Sequence, residues 1–279
     1  MRHAEAHATP ERAPIASRRV EFDFDRIDGP YWYRENVVAT AFLGALSAVF
    51  PPGEKEFVRS VMHYRDRITD DALRSDIRGF AAQEGSHSNQ HRRANEWLDR
   101  NGYGASAITA KVEAFNADFA ERFPPQVHLA VTVVMEHITA ILAEYVLTHP
   151  ERMAEMPPAV RAMFEWHAAE EIEHKAVAFD VYDQVVGDRD LLRLVCLVGT
   201  ASFVYYSLMD TRTALRGAPR APTLRDLVET GELLFARRGI FASIGRRYLD
   251  FYRRDFHPWM HDNQHLVARW AEGGHPAAA

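Results

Sequence analysis

The chain has 279 residues, is 47% hydrophobic and carries a formal charge of −6: enough apolar material for one sizeable core, and the wrong sign for a nucleic-acid footprint. A single cysteine, Cys196, excludes an intrachain disulfide framework and a cysteine zinc site, and fits a reducing, cytoplasmic setting. Arginines cluster only locally, at Arg246, Arg247, Arg253 and Arg254, so no nucleic-acid partner is expected.

Residues 1–18, MRHAEAHATPERAPIASR, lack the apolar run of a secretory signal and read as a flexible tail. Beyond them apolar residues recur every three or four positions and no convincing strand alternation occurs, which predicts an all-α chain. Helices are expected over 34–49, 52–68, 70–100, 105–122, 125–148, 157–186, 189–215, 223–234 and 238–255. Pro51 and Pro52 are expected to end the first and open the second, Asn101-Gly102 to stop the third, Pro124-Pro125 to open the fifth and His149-Pro150 to close it.

Four of these segments carry ionisable residues where core residues belong. On 52–68, Glu54 shares a stripe with Phe57, Val61 and Tyr64, while Glu56 points away. On 70–100 the stripe Leu73, Ile77, Phe80 runs on through Glu84, His87 and His91 to Ala94 and Leu98. On 125–148, Glu136 lies in line with Val133, Ala140, Ala143 and Leu147. On 157–186 the stripe reads Met163, His167, Glu171, His174, Val181 and Val185. Glu144, Glu170 and Glu173 rotate off these stripes and read as solvated or supporting groups; His137 turns about 100° from Glu136 and reads as packing or support.

Glu-x-x-His therefore occurs twice on buried faces, as Glu84 to His87 and Glu171 to His174, and residues three apart on a helix share one face. Two such helices, with one glutamate from each of two others, make the donor set of a dinuclear site in a four-helix bundle. Glu54 and Glu136 fill the two remaining places, since a lone glutamate in so apolar a stretch is costly unless paired or metal-bound. The predicted metal ligands are Glu54, Glu84, His87, Glu136, His167, Glu171 and His174, with His91 as an additional candidate. Glu54 and His87 are assigned to one metal, His167, His174 and Glu136 to the other, with Glu171 or Glu84 bridging. Tyr64 and Trp166 are placed near the ligands, as core packing first and cavity walls or electron carriers second.

Residues 191–209, LLRLVCLVGTASFVYYSLM, are long and apolar enough to raise the question of a span. Arg193, Thr200, Ser202 and Ser207 favour a buried or membrane-touching helix instead. The expected organisation is the tail, a metal-binding bundle over 19–187, and a helical extension over 188–279 packed on the same domain.

FPPGEKEF at 50–57, RDRITD at 65–70, QEGSH at 83–87, MEHITAILAE at 135–144, WHAAEEIEHKAVAFDVY at 166–182 and DFHPWMHDN at 255–263 resemble the family of predicted metal-dependent hydrolases, from about residue 20 to 265. That resemblance implies a ferritin-like bundle with extra helices on its N- and C-terminal sides. The order Glu54, Glu84 with His87, Glu136, then His167 with Glu171 and His174 is similar to the ligand order of the di-iron arylamine N-oxygenases. It implies a non-haem dinuclear enzyme, iron first with manganese or an iron/manganese pair as alternatives, that activates dioxygen with an electron donor to oxidise a small organic substrate; a lipophilic one is the expectation if the apolar run at 191–209 lines a pocket or touches a bilayer. Hydrolysis by a metal-activated water and non-catalytic metal binding are the competing expectations. A homodimer is the default oligomer.

Overall fold

The computed structural model describes residues 14–273, and among them every regular element is helical. The principal helices are α1 (Val37–His63), α2 (Asp71–Arg100), α3 (Ala105–Arg122), α4 (Pro125–Thr148), α5 (Pro150–Met153), α6 (Pro158–His174), α7 (Val177–Val185), α8 (Arg189–Arg216), α9 (Leu224–Phe235), α10 (Ile240–Asp250) and α11 (Gln264–Glu272). The all-α expectation holds, and α3 and α4 begin and end where their flanking Gly and Pro residues place them. Neither α5 nor α11 was expected.

Helices α1 and α2 pack as one pair and α4 and α6 as another; α2 lies on α6 and α7, and α1 on α4. Two apolar clusters fill the two ends of this assembly. One includes Trp32, Trp97, Leu98, Tyr103 and Met163, the other Ile77, Phe80, Leu129, Val133 and Tyr182. Helix α8 packs on α1 and α4, α9 on α1, α10 on α4, and α11 on α6.

The expected break at Pro51 and Pro52 does not occur: α1 runs through both. A proline leaves the carbonyl four residues earlier without its helical donor. Here both orphaned carbonyls find replacements, Asn95 Nδ2 donating to Ser47 O at 3.2 Å and Thr109 Oγ1 to Ala48 O at 2.9 Å. The helix therefore continues because α2 and α3 supply the missing hydrogen bonds, which no local pattern announces. Replacing the second donor, Thr109→Val, is expected to destabilise the protein by about 1–3 kcal/mol in urea unfolding, the cost of an unpaired buried carbonyl.

The helix expected over 157–186 is also two helices, interrupted at Lys175 and Ala176. There Lys175 Nζ donates to His261 O at 2.6 Å and Asn263 Oδ1 at 2.7 Å, under the Trp259 ring.

The expected tail needs correction at its inner end. Residues 1–13 lie outside the described residues, but Ile15 and Arg18 are buried. The strap they form passes so close to α2 that a Cβ on Gly79 would meet Ile15 O at 2.3 Å. Gln83 donates to Ala16 O and Gln90 to Val20 O, holding the strap along α2.

Three stretches, Val37–Arg67, Pro125–Thr148 and Arg189–Arg216, are long and apolar enough to cross a membrane by length and composition. The most apolar part of the first two is 72% and 67% buried inside the protein, and that of the third, α8, only 11%. Of the expected buried or membrane-touching helix, the buried alternative holds only for the inner face of α8.

Candidate metal centre

Between the two apolar clusters, α1 contributes Glu54, α2 Glu84 and His87, α4 Glu136, and α6 His167, Glu171 and His174, all buried. Each sits on its helix's inward stripe, so the spacing read from the sequence delivers all seven side chains to one place. Two groups have donor atoms close enough to hold an ion: Glu54 with His87 and His167, and Glu84 with Glu171 and His174. Glu136 Oε2 adjoins the second group, 3.5 Å from His174 Nε2. His167 thus belongs with Glu54 and His87, not with Glu136 and His174 as expected; the α6 backbone turns it toward α1, where Nε2 lies 3.9 Å from Glu54 Oε1.

Glu171 joins the groups. Its Oε1 lies 2.9 Å from His167 Nε2, 3.5 Å from His174 Nε2 and 3.7 Å from His87 Nδ1, so a single carboxylate oxygen faces all three imidazoles. Burial alone would raise the Glu171 pKa, but His174 and His167 hold it well below the usual carboxylate range. Burial pushes Glu54 and Glu84 well above that range, reinforced by the Glu171 charge and, for Glu84, first by Glu136. Glu136 is raised to about 8, chiefly by burial.

The imidazoles are oriented from behind. His87 Nε2 faces Glu170 Oε2 at 3.1 Å, and Glu170 is held by the Arg18 backbone N–H and guanidinium. His174 Nδ1 faces Gln83 Oε1 at 2.9 Å, while Gln83 Nε2 donates to Glu173, which Arg18 also binds. These partners make Nε2 of His87 and Nδ1 of His174 donors, leaving the His87 Nδ1 lone pair aimed into the site and His174 Nε2 facing Glu84, Glu136 and Glu171; burial lowers the His174 pKa, but Glu171 and Glu136 raise it above its ordinary value.

His91 lies outside the two groups of donor atoms, and both its nitrogens face other side chains. Nδ1 lies 2.8 Å from Ser47 Oγ and Nε2 2.8 Å from His167 Nδ1. Ser47 Oγ donates to Asn95 Oδ1 at 2.7 Å, so it accepts from His91 Nδ1; His91 Nε2 then accepts from His167 Nδ1, and His167 Nε2 is turned to Glu171 Oε1 at 2.9 Å. Burial, with His167 and His87 nearby, holds His91 well below its ordinary pKa, which keeps it neutral for this relay.

Nothing on the protein satisfies what remains. Glu54 Oε1, both oxygens of Glu84 and of Glu136, Glu171 Oε2, His87 Nδ1 and His174 Nε2 are buried without hydrogen-bond partners among the described residues. Such a cluster of orphaned acceptors is costly in an apolar interior, and hard to borderline divalent cations are its natural complement. Four carboxylates also match the charge of two such cations. The seven residues therefore fit a dinuclear centre.

Of the other residues read from the sequence, Trp166 stands edge-on to His87 at 4.9 Å between centroids, whereas Tyr64 packs among Val61 and Ile68. His137 packs on Phe251 and Phe256, its pKa lowered by burial to about 3. Glu144 binds Arg247 and Asn263. Glu170 and Glu173 are supporting groups, and the one the sequence reading missed is Arg18, which ties both together; its only signal was an arginine just outside the first helix. Substituting Glu170→Gln is expected to weaken metal binding by about 10–100-fold in a calorimetric titration with the fold intact, because the amide no longer anchors His87 as a carboxylate does.

The profile of one family, described as predicted metal-dependent hydrolase, matches residues 16–262. No curated protein and no solved structure matches the chain. With its matched span covering Arg18, all seven site residues and helices α1 to α10, this chain belongs to the family of predicted metal-dependent hydrolases.

Proposed function

We propose that the protein is a dinuclear metal-dependent enzyme, with Glu54, His87 and His167 holding one cation, Glu84, Glu136 and His174 the other, and Glu171 shared. The observation that carries this is the convergence of four carboxylates and three imidazoles with eight of their donor atoms buried and unpartnered. Paired cations supply Lewis acidity that acidifies water and polarises an acyl or phosphoryl oxygen, and a redox-active pair also supplies electrons to dioxygen. The chain's own residues fix the donors: Glu170 anchors His87, Gln83 anchors His174, and the Asn95–Ser47–His91 relay anchors His167. Trp166, Phe50 and Phe80 pack against the imidazoles and exclude bulk water.

Hydrolysis of a small ester or phosphoester is the reading that family membership supports. Oxidation of a small organic molecule by dioxygen, at an iron or iron/manganese pair with an external electron donor, is the second. Two observations favour it: the donor set contains no thiolate, and every ligand is almost fully buried, which suits a diatomic reactant. One paired experiment separates them. Protein loaded with Zn(II) or Mn(II) is assayed against ester and phosphoester panels, and protein loaded anaerobically with Fe(II) is assayed for oxygen uptake. Turnover in the first, lost in His87→Ala, establishes hydrolysis; stoichiometric or catalytic uptake in the second, lost in the same variant, establishes oxidation. Two bound metals with neither activity would overturn the catalytic proposal and leave a metal-binding protein.

A further inference from the structure

The outer face of α8 carries an apolar stripe that nothing in the fold covers. Leu194, Leu197, Val198, Ala201, Tyr205 and Leu208 follow one another at three- and four-residue spacing, and all are exposed, Leu197 at 61% and Leu208 at 58%. The inner face is fully used: Leu192 and Cys196 are buried, and Gly199 brings α8 close to Val134 and Met135 of α4. Contiguous exposed apolar surface of this kind marks an interaction site.

The order of residues along the stripe identifies the occupant. About Ala201 the exposed positions of the stripe match in pairs, although the buried ones do not: Leu194 mirrors Leu208, Val198 mirrors Val204, Leu197 mirrors Tyr205, and Asp190 mirrors Arg212. A second α8 laid antiparallel across the first, crossing at Ala201, would set like apolar residues against one another and Asp190 of each copy against Arg212 of the other. Arg212 forms no ion pair among the described residues, and Asp190 is almost fully exposed in a local pair with Arg193. A small residue at the crossing permits close approach, the three-four spacing suits helices crossing at about 20°, and a two-fold contact must be self-complementary in this way.

We propose that the protein is a homodimer built on an antiparallel α8 pair centred on Ala201. The proposal stands independently of the reaction at the metal centre. Because α8 packs on α1 and α4, the dimer would brace the outer wall of two helices that carry Glu54 and Glu136.

The test uses the full chain. Sedimentation velocity is expected to show a dimer, and the Leu197→Glu/Leu208→Glu variant, altered only at exposed positions, is expected to be a folded monomer by circular dichroism with dimer affinity reduced at least about 100-fold. Ala201→Cys is expected to form a covalent dimer on mild oxidation where the parent, whose single Cys196 is buried, does not. Asp190→Arg should weaken the dimer and Asp190→Arg/Arg212→Asp restore it. A wild-type monomer, or a dimer indifferent to the leucine changes and not cross-linked through Ala201→Cys, would overturn the proposal. So would a monomer that binds phosphatidylcholine/phosphatidylglycerol vesicles through the same leucines, since the stripe would then belong to a lipid surface.

Discussion

Replacing Glu171 with alanine is expected to abolish binding of both metals rather than one. Its Oε1 faces His87, His167 and His174 together, so truncation removes the group shared by the two ligand sets and leaves two cations with three carboxylates instead of four. Elemental analysis after loading should fall from two metals per chain to nearly none. The ligand-induced rise in stability, about 2.7 kcal/mol at a free metal concentration one hundred times the dissociation constant, should vanish with it. Glu54→Ala removes a donor from only one group and is expected to retain one metal. A Glu171→Ala protein that still binds two metals and melts where the parent does would refute the shared-ligand assignment.

The metal-free protein is expected to lose stability as pH rises, and the loaded protein to lose that dependence. Glu54, Glu84 and Glu136 are held above the ordinary carboxylate range by burial, Glu136 to about 8. Between about 4.5, where a glutamate ionises in the unfolded chain, and the folded value, the native state binds more protons than the unfolded state. Stability therefore falls with pH across that window, by up to about 1.4 kcal/mol per unit for each such group, and the penalty is complete above it. His87, His91, His137 and His261, all lowered first by burial, work in the opposite sense below about 6.5, where the unfolded chain takes up their protons, so the fall is read above pH 7, where Lys175, lowered to about 7, opposes only one of the three carboxylates. Metal affinity moves the other way, because ligation displaces these protons. Urea unfolding of chelator-treated and loaded protein at pH 7.0, 7.5 and 8.0 checks this; a metal-free midpoint that is flat or rises across that range would contradict the buried, protonated carboxylates.

The seven donors were legible because a helix repeats every 3.6 residues, so a glutamate or histidine on a core stripe declares itself against its apolar neighbours. Glu136 among Val133, Ala140 and Ala143 is the clearest instance. What the stripe could not convey was rotation and reach. His91 occupies the same stripe as His87, yet its ring meets Ser47 and His167 instead of joining the ligand groups, and this depends on where α1 and α6 stand. His167 changed groups for the same reason. Arg18, in a segment composed like a tail, acquires its role only because Glu170 and Glu173 lie 152 and 155 residues away in the chain and side by side in space.

Sequence by itself determined the helical class, the ends of α3 and α4, the buried faces of four helices and the seven ionisable residues that converge between them, because these follow from local periodicity and from the cost of placing a charge among apolar side chains. Tertiary structure alone decided that α1 continues through Pro51 and Pro52, which ligands share a cation, how each imidazole is oriented, and that the outer face of α8 stays uncovered. Each of these turns on a hydrogen bond or a packing surface supplied by a distant helix: Asn95 and Thr109 complete α1, Glu170, Gln83 and His91 set the histidines, and no helix among the described residues lies over Leu197 and Leu208. Such partners are fixed by the folded arrangement of the whole chain, and no window of neighbouring residues contains them.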